Sequence, residues 1–428
     1  MSPVLLFVPV LLFVFLAWRD IRLATILFFG LFPTYLLRFS LFGIPTTLLE
    51  IFFVVLFILW FFRHRGFIFL HTFFFKDGRN KGYRLFFVSV LFMIIAASVS
   101  LFLSPQKIAA LGIWKAYFIE PILFFLITVS VLKTSTYRSW ACMALGASGI
   151  IIAFFALFQF FTLLGIPVPW DSERRVTSFF PYPNAVGLFL GPIVTMGFFF
   201  LFSHLYKSSF KEWSFWFWIL VVVFGSIALF LSQTEAAWIA IPAAIIVVSF
   251  FTPSLRRFTI PLLILGMIIV LFLPAIHVPL TQKVSLQDFS GQVRLKQWQE
   301  TIHLLKDHGI FGVGLSGYPH ALGSYRLYPE IEVFQYPHQM FLNIWTELGM
   351  MGLISFFLLS SFVLSSFLFS LKKQKTPDWI LLGLFAVFLE MIIHGLVDVP
   401  YFKNDLAMMT WGLLGLYVMH LKKEIHLS

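Results

Sequence analysis

The chain has 428 residues, of which 60% are hydrophobic and only 11% are charged, and its mean hydropathy is +0.93. Soluble globular proteins carry about 25% charged residues, so this composition excludes that class and indicates a polytopic membrane protein. In a soluble protein the net charge of +11 would suggest nucleic-acid binding. In a membrane protein it indicates basic cytoplasmic loops and some cations that face an anionic ligand, so we expect no nucleic-acid partner.

Apolar stretches of about 17 to 25 residues, long enough to cross a bilayer, recur along the whole chain. The predicted fold is an all-α polytopic membrane protein of about 12–13 transmembrane helices, forming a single integral membrane domain over residues 1–428. The first stretch has no basic n-region and no small-residue cleavage site, so we interpret it as a retained span. The first two stretches are short and form either one hairpin or a half-inserted element. The predicted spans are 3–18, 23–37, 44–62, 85–103, 111–132, 140–164, 184–203, 214–231, 236–251, 258–274, 339–371, 379–396 and 405–421.

Basic residues are divided unequally between two sets of loops. One set, which includes the basic run at 63–84, carries 17 Lys and Arg residues, and the other set carries five. The positive-inside rule therefore predicts that the first set is cytoplasmic and in contact with membrane lipids. The long loop at 275–338 then lies on the external, periplasmic side. Four predicted spans separate it from the loop at 165–183, and because four is even, both loops face the same side.

Arg174 and Arg175 stand together in the external stretch PWDSERRVTSFFPYPNAVG, residues 169–187. Two prolines then interrupt the chain, and Asn184 is the predicted N-cap of the helix that follows. A helix N-terminus beside two guanidinium groups is a suitable site for a phosphate. The alternative is a solvated loop whose arginines pair with the acidic residues that precede them.

The long external loop begins with the stretch VRLKQWQETIHLLKDHG, residues 293–309, whose apolar residues recur at helical spacing. This pattern predicts an amphipathic helix that lies on the membrane surface or on the transmembrane bundle. Arg294 precedes Trp298 by one turn, and it either meets a ligand or remains solvated. The tyrosines of the loop would stack on sugar rings or form an interfacial aromatic belt. They are Tyr318, Tyr325, Tyr328 and Tyr336.

His338 stands where the polar loop re-enters apolar sequence, nine residues before Glu347. Histidine is the side chain best suited to accept a proton near neutral pH, which makes His338 the strongest catalytic candidate. A histidine at a membrane interface also serves as a structural hydrogen-bonding group, and the sequence leaves that alternative open.

Ionisable side chains inside or beside the spans are costly in lipid, so each indicates a functional or a pairing role. Lys115 and Glu120 are five residues apart, a poor spacing for one face of an α-helix, and we expect them to pair with other helices. His394 and Asp398 are one turn apart near the external end of a span. They would line a proton path in a transporter or close a polar seam in the bundle.

Several well-known catalytic and nucleotide-binding motifs are absent from the sequence. It contains no GxxxxGK[ST], no HExxH and no G-x-S-x-G with partners, and the G-x-G of GVGLSG follows no predicted strand. No D-x-D-like pair occurs in an external loop to hold a divalent metal. We therefore predict no cofactor and no metal site, with cations of the protein itself meeting the charge of the ligand.

Three blocks of the sequence resemble the O-antigen ligase and O-antigen polymerase superfamily of bacterial envelope proteins. They are RRVTSFFPYPNAVG, RLKQWQETIHLLKDHGIFGVGLSGY and HQMFLNIWTELGMMGL, and the closing HGLVD and WGLLG segments fit as well. The resemblance covers most of the chain from about residue 110 onward. Two departures are Gln339, where asparagine is usual, and Glu235 in SQTEAAW, where many members have arginine.

The resemblance implies a metal-independent membrane glycosyltransferase of lipopolysaccharide-type biosynthesis. It implies a glycan donor linked to polyprenyl diphosphate and a glycan, lipid or protein acceptor, on the outer face of the bacterial cytoplasmic membrane. Carried over residue by residue, it assigns Arg175 and Arg294 to the diphosphate leaving group and His338 to the acceptor hydroxyl, with Arg174 as the competitor of Arg175. The residues that we expect to bind substrate around them are Arg174, Asn184, Trp298, Tyr318, Tyr336, Glu347 and Asp398.

The sequence leaves other functions open. Within the superfamily, ligation to an acceptor and polymerisation of repeat units are both compatible with these blocks. A transporter or flippase of lipid-linked glycans would use His394, Asp398 and the intramembrane carboxylates as its relay, and it predicts two related halves. A purely structural envelope protein would tolerate replacement of His338 and both arginines.

Overall fold

The computed structural model describes residues 3–41, 43–66, 68–69, 81–272, 285–373 and 376–425. Helices dominate this part of the chain and a single two-stranded hairpin interrupts them, which confirms the predicted all-α class. Residues 273–284 of the external loop and the basic residues Lys76, Arg79 and Lys375 lie outside the described residues. The elements are α1 (Pro3–Arg19), α2 (Ile21–Gly30), β1 (Arg38–Leu41), β2 (Ile44–Thr47), α3 (Leu48–Arg63), α4 (Lys81–Leu103), α5 (Lys107–Ile113), α6 (Glu120–Val131), α7 (Ser135–Thr162), α8 (Asn184–Lys207), α9 (Trp213–Ser232), α10 (Glu235–Phe250), α11 (Pro253–Phe272), α12 (Phe289–His308), α13 (Tyr318–Leu322), α14 (Met340–Lys373), α15 (Trp379–His394) and α16 (Asn404–Ile425).

A helix occupies part of every one of the 13 predicted apolar stretches. Among the described residues, six helices are long and apolar enough to cross a membrane by length and composition, and four apolar helices are shorter. The chain is therefore a polytopic membrane protein, and the total of about 12–13 spans stays a prediction. The six are Tyr83–Leu103, Lys107–Val131, Ser135–Thr162, Asn184–Lys207, Trp213–Ser232 and Met340–Lys373.

The N-terminal region differs from the predicted continuous spans at 23–37 and 44–62. Helix α2 ends at Gly30, and a 3₁₀ helix, Phe32–Leu36, follows. Its second residue is a proline, which has no N–H group to continue an α-helix. The hairpin β1–β2 follows, and α3 begins only at Leu48. Thr47 and Glu50 form a capping box there, which fixes where the strand changes into the helix.

Helix α5 continues into α6 through a π-helical segment, Trp114–Ile119. The wider π-helical turn brings residues five apart onto one face, so Lys115 contacts Glu120 at 3.8 Å as well as Glu50 at 2.9 Å. The expectation of pairing with another helix is confirmed for Lys115, which meets Glu50 on α3. The additional contact between Lys115 and Glu120 was not expected, because the prediction assumed α-helical spacing.

Helix α14 is broken at Gly349, whose φ of 69° and ψ of −171° are not helical. A Cβ atom at this position would lie 2.4 Å from the carbonyl oxygen of Ile310, so glycine is required both by the conformation and by the close approach. The glycine turn at 312–314 packs on this break, and the N–H of Val313 donates to the carbonyl of Thr346 at 2.6 Å. The G-x-G sequence thus has a structural role in joining the external loop to α14.

The transmembrane helices pack around one large apolar core. Helix α14 lies along α4, α15 lies along α8, and α9 contacts both α7 and α8. Close approach is possible where glycines face a neighbour, as at Gly149 against Ile193. The buried ring of Phe124 contacts the rings of Phe28 and Phe29, with centroid distances of 4.7 Å and 5.2 Å.

The external loop has a small core of its own, separate from the core of the bundle. Leu304, Leu305, Val313, Tyr318 and Leu322 form it, between α12, α13 and the first part of α14. The predicted amphipathic helix is α12, and it packs on protein on this side. The core holds α12 beside the segment that precedes α14, which positions the cleft described next.

Candidate active site

A cleft of about 1680 Å³ opens where the ends of several helices meet the external loop. Its lining comes from the hairpin, from α5, from the 165–184 segment, from the α9–α10 turn, from α12 and from the residues around His338. Segments far apart in sequence therefore contribute to one site. The predicted residues that line the cleft are Arg175, Asn184, Arg294, Tyr336, His338 and Glu347.

The backbone around His338 is held by α12. The side chain of Gln297 donates to the carbonyl of Tyr336 at 2.9 Å, and the indole of Trp298 donates to the carbonyl of Pro337 at 2.9 Å. His338 itself has a positive φ of 46°, which is strained for a residue with a side chain. Its ring lies beside the rings of Phe334 and Tyr336, each with a centroid distance of 5.0 Å. The surrounding contacts therefore fix the imidazole at the cleft.

Asp398 lies behind His338, with its Oδ1 atom 3.7 Å from Nδ1 of the imidazole. The carboxylate is buried, accepts from the N–H of Val399 at 2.8 Å and accepts from the side chain of Asn184 at 3.3 Å. Burial raises the pKa of Asp398, but His338, His394 and the Val399 N–H lower it to about 2. The carboxylate is thus negative at physiological pH and faces one nitrogen of His338, which leaves the Nε2 atom on the other side of the ring.

Arg175 is anchored mainly to backbone carbonyls. Its guanidinium donates to the carbonyl of Ser232 at 3.2 Å and to the carbonyl of Gln233 at 3.4 Å, and it lies over the ring of Trp170. The nearest carboxylate with an ion-pair contact is Glu173 at 3.8 Å, which is itself exposed. Burial lowers the pKa of Arg175, while Glu173 and Glu235 raise it. Arginine stays protonated in either case, so a largely uncompensated cation faces the cleft.

Arg294 lies near the start of α12, one turn before Trp298. It is half-buried and lines the same cleft as Arg175. Its guanidinium has no hydrogen bond or ion pair within the parts of the chain that the structure describes. The even number of predicted spans between residues 165–183 and the long loop places both segments on the same side of the membrane. Residues of both segments line the cleft, in agreement with that prediction.

Four of the predicted substrate-binding residues do not line the cleft, and one of them is Asp398, which lies behind His338. Arg174 is exposed on the loop next to Arg175, has a positive φ of 53° and does not line the cleft. Tyr318 is fully buried in the small core of the external loop, where its hydroxyl contacts that of Thr301 at 2.8 Å. Trp298 supports the backbone before His338 and does not line the cleft.

The predicted cap role of Asn184 is wrong. Pro183 holds the N-cap position of α8 in an αR conformation without a side-chain cap, and Asn184 is the first helical residue. The Asn184 side chain instead bridges two site residues, accepting from Arg175 at 3.4 Å and donating to Asp398 at 3.3 Å. It therefore connects the Arg175 side of the site to the His338 side.

Tyr336 lines the cleft and meets a second tyrosine from the 165–184 segment. The hydroxyls of Tyr182 and Tyr336 are 3.2 Å apart, which joins the two external segments across the site. Burial raises the pKa of both hydroxyls, so both remain protonated and able to donate hydrogen bonds. Glu347 is buried on α14 below them, and its Oε2 atom has no hydrogen-bond partner in the described chain.

The sequence-based site prediction does not include several polar lining residues, among them Arg38, Asn343 and Lys403. Arg38 and Lys403 belong to the few basic residues on the side that is predicted to be external, and their departure from the charge bias is a signal that could have identified them. The Nζ atom of Lys403 is buried, has no hydrogen-bond partner in the described chain and lies 4.7 Å from the ring centre of Phe180. Asn343 carries no such signal, because it stands inside an apolar helical pattern.

The sequence also singled out Glu235 and the intramembrane residue His394, which pairs with Glu390. Glu235 is the first residue of α10 and lines the cleft, where it supplies a negative charge near Arg175. His394 lies 3.2 Å from Glu390, and both side chains are 1% exposed inside the bundle. Among the described residues, no group of three or more His, Cys, Asp or Glu side chains is placed to hold a metal ion.

The fold and the cleft define a polytopic membrane protein with a cationic site on its polar loop. The O-antigen ligase family matches this chain over residues 220–357, a range that contains Arg294, His338 and Glu347. The match confirms the resemblance to the O-antigen ligase and polymerase superfamily that is seen in the sequence. It supports, in general terms, a membrane glycosyltransferase of the O-antigen ligase or polymerase type. No curated protein matches the chain.

Proposed function

We propose that this protein transfers a glycan from a polyprenyl-diphosphate donor to a hydroxyl of a glycan, lipid or protein acceptor. The observation that carries the proposal is the position of Arg175, Arg294 and His338 around one cleft. Cleavage of a sugar–diphosphate bond needs positive charge at the leaving group and a base at the attacking hydroxyl. The cleft supplies both.

The two arginines would bind the diphosphate of the donor. The bond between C1 of the sugar and the phosphate oxygen breaks, and its electron pair stays on that oxygen as negative charge. Arg175 and Arg294 come from separate segments of the chain. The ion pair of Arg175 with Glu173 is long, at 3.8 Å, and Glu173 is exposed, so most of the positive charge is available to this oxygen and its neighbours. Preplaced guanidinium groups stabilise such charge without any reorganisation of solvent.

His338 would accept the proton of the attacking hydroxyl. The acceptor oxygen forms a bond to C1 while its proton moves to the Nε2 atom, the nitrogen that points away from Asp398. Asp398 would hold the ring in place and stabilise the imidazolium that results. Asn184 links Asp398 to Arg175, so both halves of the reaction depend on one hydrogen-bonded group.

The lining of the cleft also supports a lipid-linked donor. Its side toward α7 and α10 is apolar, with Phe155 stacked on Phe179 at a centroid distance of 4.0 Å and Ile239 nearby in the lining. A polyprenyl chain would be accommodated there. We further propose that the reaction takes place at the outer face of the bacterial cytoplasmic membrane and that the protein's own cations replace a metal.

The direct test uses the purified protein in detergent, a polyprenyl-diphosphate oligosaccharide and candidate acceptors. We expect release of polyprenyl diphosphate at an unchanged rate in EDTA. Loss of release in EDTA, with recovery on adding Mg²⁺, would refute metal independence. Product length separates two outcomes, because a ligase adds one glycan to a distinct acceptor while a polymerase lengthens the lipid-linked repeat. Binding of the donor without turnover with any acceptor would instead favour a transporter.

A further inference from the structure

Asn343 and Glu347 are buried polar side chains on the floor of the cleft, and neither belongs to the residues that meet the diphosphate or the acceptor proton. Asn343 is 0% exposed and Glu347 is 4% exposed, yet both line the cleft. Both polar atoms of the Asn343 amide and the Oε2 atom of Glu347 lack a hydrogen-bond partner in the described chain. Buried polar groups in folded proteins are almost always hydrogen-bonded, so these atoms indicate an absent ligand.

The fold holds the two side chains in this position. They are four residues apart on the first part of α14, which places them on the same face of the helix. The helix is anchored at its start, where the N–H of Met340 donates to the carbonyl of Gly395 and the N–H of Leu342 donates to the side chain of Gln339. The break at Gly349 ends this segment, so the rest of α14 does not impose its direction on it.

The chemistry of the pair fits a sugar. The amide of Asn343 offers two donors and one acceptor, and the carboxyl group of Glu347 adds further hydrogen-bonding atoms, which matches neighbouring hydroxyls that both donate and accept. Tyr117 and Phe402 line the same cleft and offer ring faces for the C–H side of a sugar. A phosphate is a poorer match, because neither side chain carries a positive charge to meet it.

We propose that Asn343 and Glu347 form the subsite for the sugar that is attached to the diphosphate of the donor. This inference rests on the proposed function and adds to it the residues that select the glycan. Arg175 and Arg294 bind the diphosphate, and the first sugar extends from it toward His338 over the floor formed by α14. The subsite makes the affinity for the donor depend on the presence of its sugar.

The test compares binding of two lipids, polyprenyl diphosphate with and without its oligosaccharide, to the full-length protein in detergent. The variants are Asn343→Leu and Glu347→Gln, with Glu332→Gln, on the exposed part of the loop, as the matched control. For the wild type and the control we expect at least about tenfold tighter binding of the glycosylated lipid, since each hydrogen bond in a buried site contributes appreciably. For the two variants we expect this preference to fall to about threefold or less, with unchanged affinity for the sugar-free lipid.

The sugar-free lipid and thermal stability separate this role from a structural one. Asn343→Leu replaces an unpaired buried amide by an apolar group of similar size, so we expect a melting temperature at or above that of the wild type. If the wild type binds both lipids equally, the sugar subsite is refuted while diphosphate binding stands. Equal loss of affinity for both lipids in both variants also overturns it. Failure of the wild type to bind either lipid refutes the proposed function itself.

Discussion

At the scale of single residues, the site depends on side chains that hold His338 and the arginines in place as much as on those groups themselves. Asp398 is the clearest case, because it contacts His338 and Asn184 and is buried behind both. Asn184 in turn reaches Arg175. A change at Asp398 is therefore felt on both sides of the cleft.

Replacement of Asp398 by asparagine removes the charge that faces His338. We expect Asp398→Asn to lower the turnover number about 10²- to 10⁴-fold, with a smaller effect on the Michaelis constant. Because the pKa of Asp398 is about 2, its carboxylate stays ionised across the usual assay range, and the loss should be the same from about pH 5 to about pH 9. Steady-state kinetics across that range check this, with Asp171→Asn on the exposed loop as the control. A loss confined to low pH would contradict it.

Replacement of Lys403 is expected to affect donor affinity and thermal stability in opposite directions. The buried Nζ atom of Lys403 has no hydrogen-bond partner in the described chain and lies near the ring of Phe180. Burial lowers the pKa of its ammonium group, and Asp405 and Asp398 oppose this without cancelling it. An unpaired buried cation costs stability, so we expect Lys403→Met to melt at the same or a higher temperature. Because the cation faces the cleft, affinity for the polyprenyl-diphosphate donor should fall about tenfold or more. A lower melting temperature with unchanged donor affinity would show that Lys403 is structural.

The sequence, through its resemblance to a family, predicted part of this site. The match of three blocks to a family led to Arg175, Arg294 and His338, and all three line the cleft. The sequence could not separate Arg174 from Arg175, because the fold decides which of two adjacent arginines lines the cleft. It also placed Tyr318 among the sugar-binding residues, although a buried hydroxyl partner, Thr301, satisfies it in the loop core.

At the scale of elements, the break in α14 positions the segment that carries Asn343 and Glu347. Hydropathy predicted one long span from residue 339, because glycine is tolerated inside apolar helices and gave no warning of a break. The break is set by a distant contact, since the N–H of Met350 donates to the carbonyl of Ile310 at 3.0 Å. The π-helical turn that pairs Lys115 with Glu120 also escaped prediction, because α-helical spacing was assumed for this stretch.

Substitution of Gly349 by alanine tests the importance of this break. The added Cβ would lie 2.4 Å from the Ile310 carbonyl at a φ of 69°, so we expect Gly349→Ala to lower the free energy of unfolding by about 1–3 kcal/mol and to reduce transfer. Gly323→Ala is the matched control, because a Cβ there meets nothing within 4 Å and its φ is −50°. Thermal melting in detergent with both variants checks the difference. Equal melting temperatures of the Gly349→Ala and Gly323→Ala variants would show that position 349 does not require glycine.

At the scale of the whole molecule, the cleft requires that the 165–183 and 285–338 segments lie on one side of the membrane. The charge bias predicts that this side is external, and cysteine labelling can test it because Cys142 is buried. We expect Ser172→Cys to react with a membrane-impermeant maleimide in intact cells. Ser208→Cys, in the turn between α8 and α9, should react only after permeabilisation. Both positions are exposed, so the reverse pattern would contradict the proposed orientation.

The most direct measurement is the rate of polyprenyl diphosphate release by three matched pairs of variants. The pairs are Arg175→Ala with Arg174→Ala, Arg294→Ala with Lys296→Ala, and His338→Ala with His320→Ala. We predict that the first member of each pair loses about 100-fold or more in rate, while the second stays within about threefold of the wild type. All six should elute as folded protein in detergent. Release at the wild-type rate by Arg175→Ala, Arg294→Ala and His338→Ala would contradict the assignment of this cleft as the transferase site.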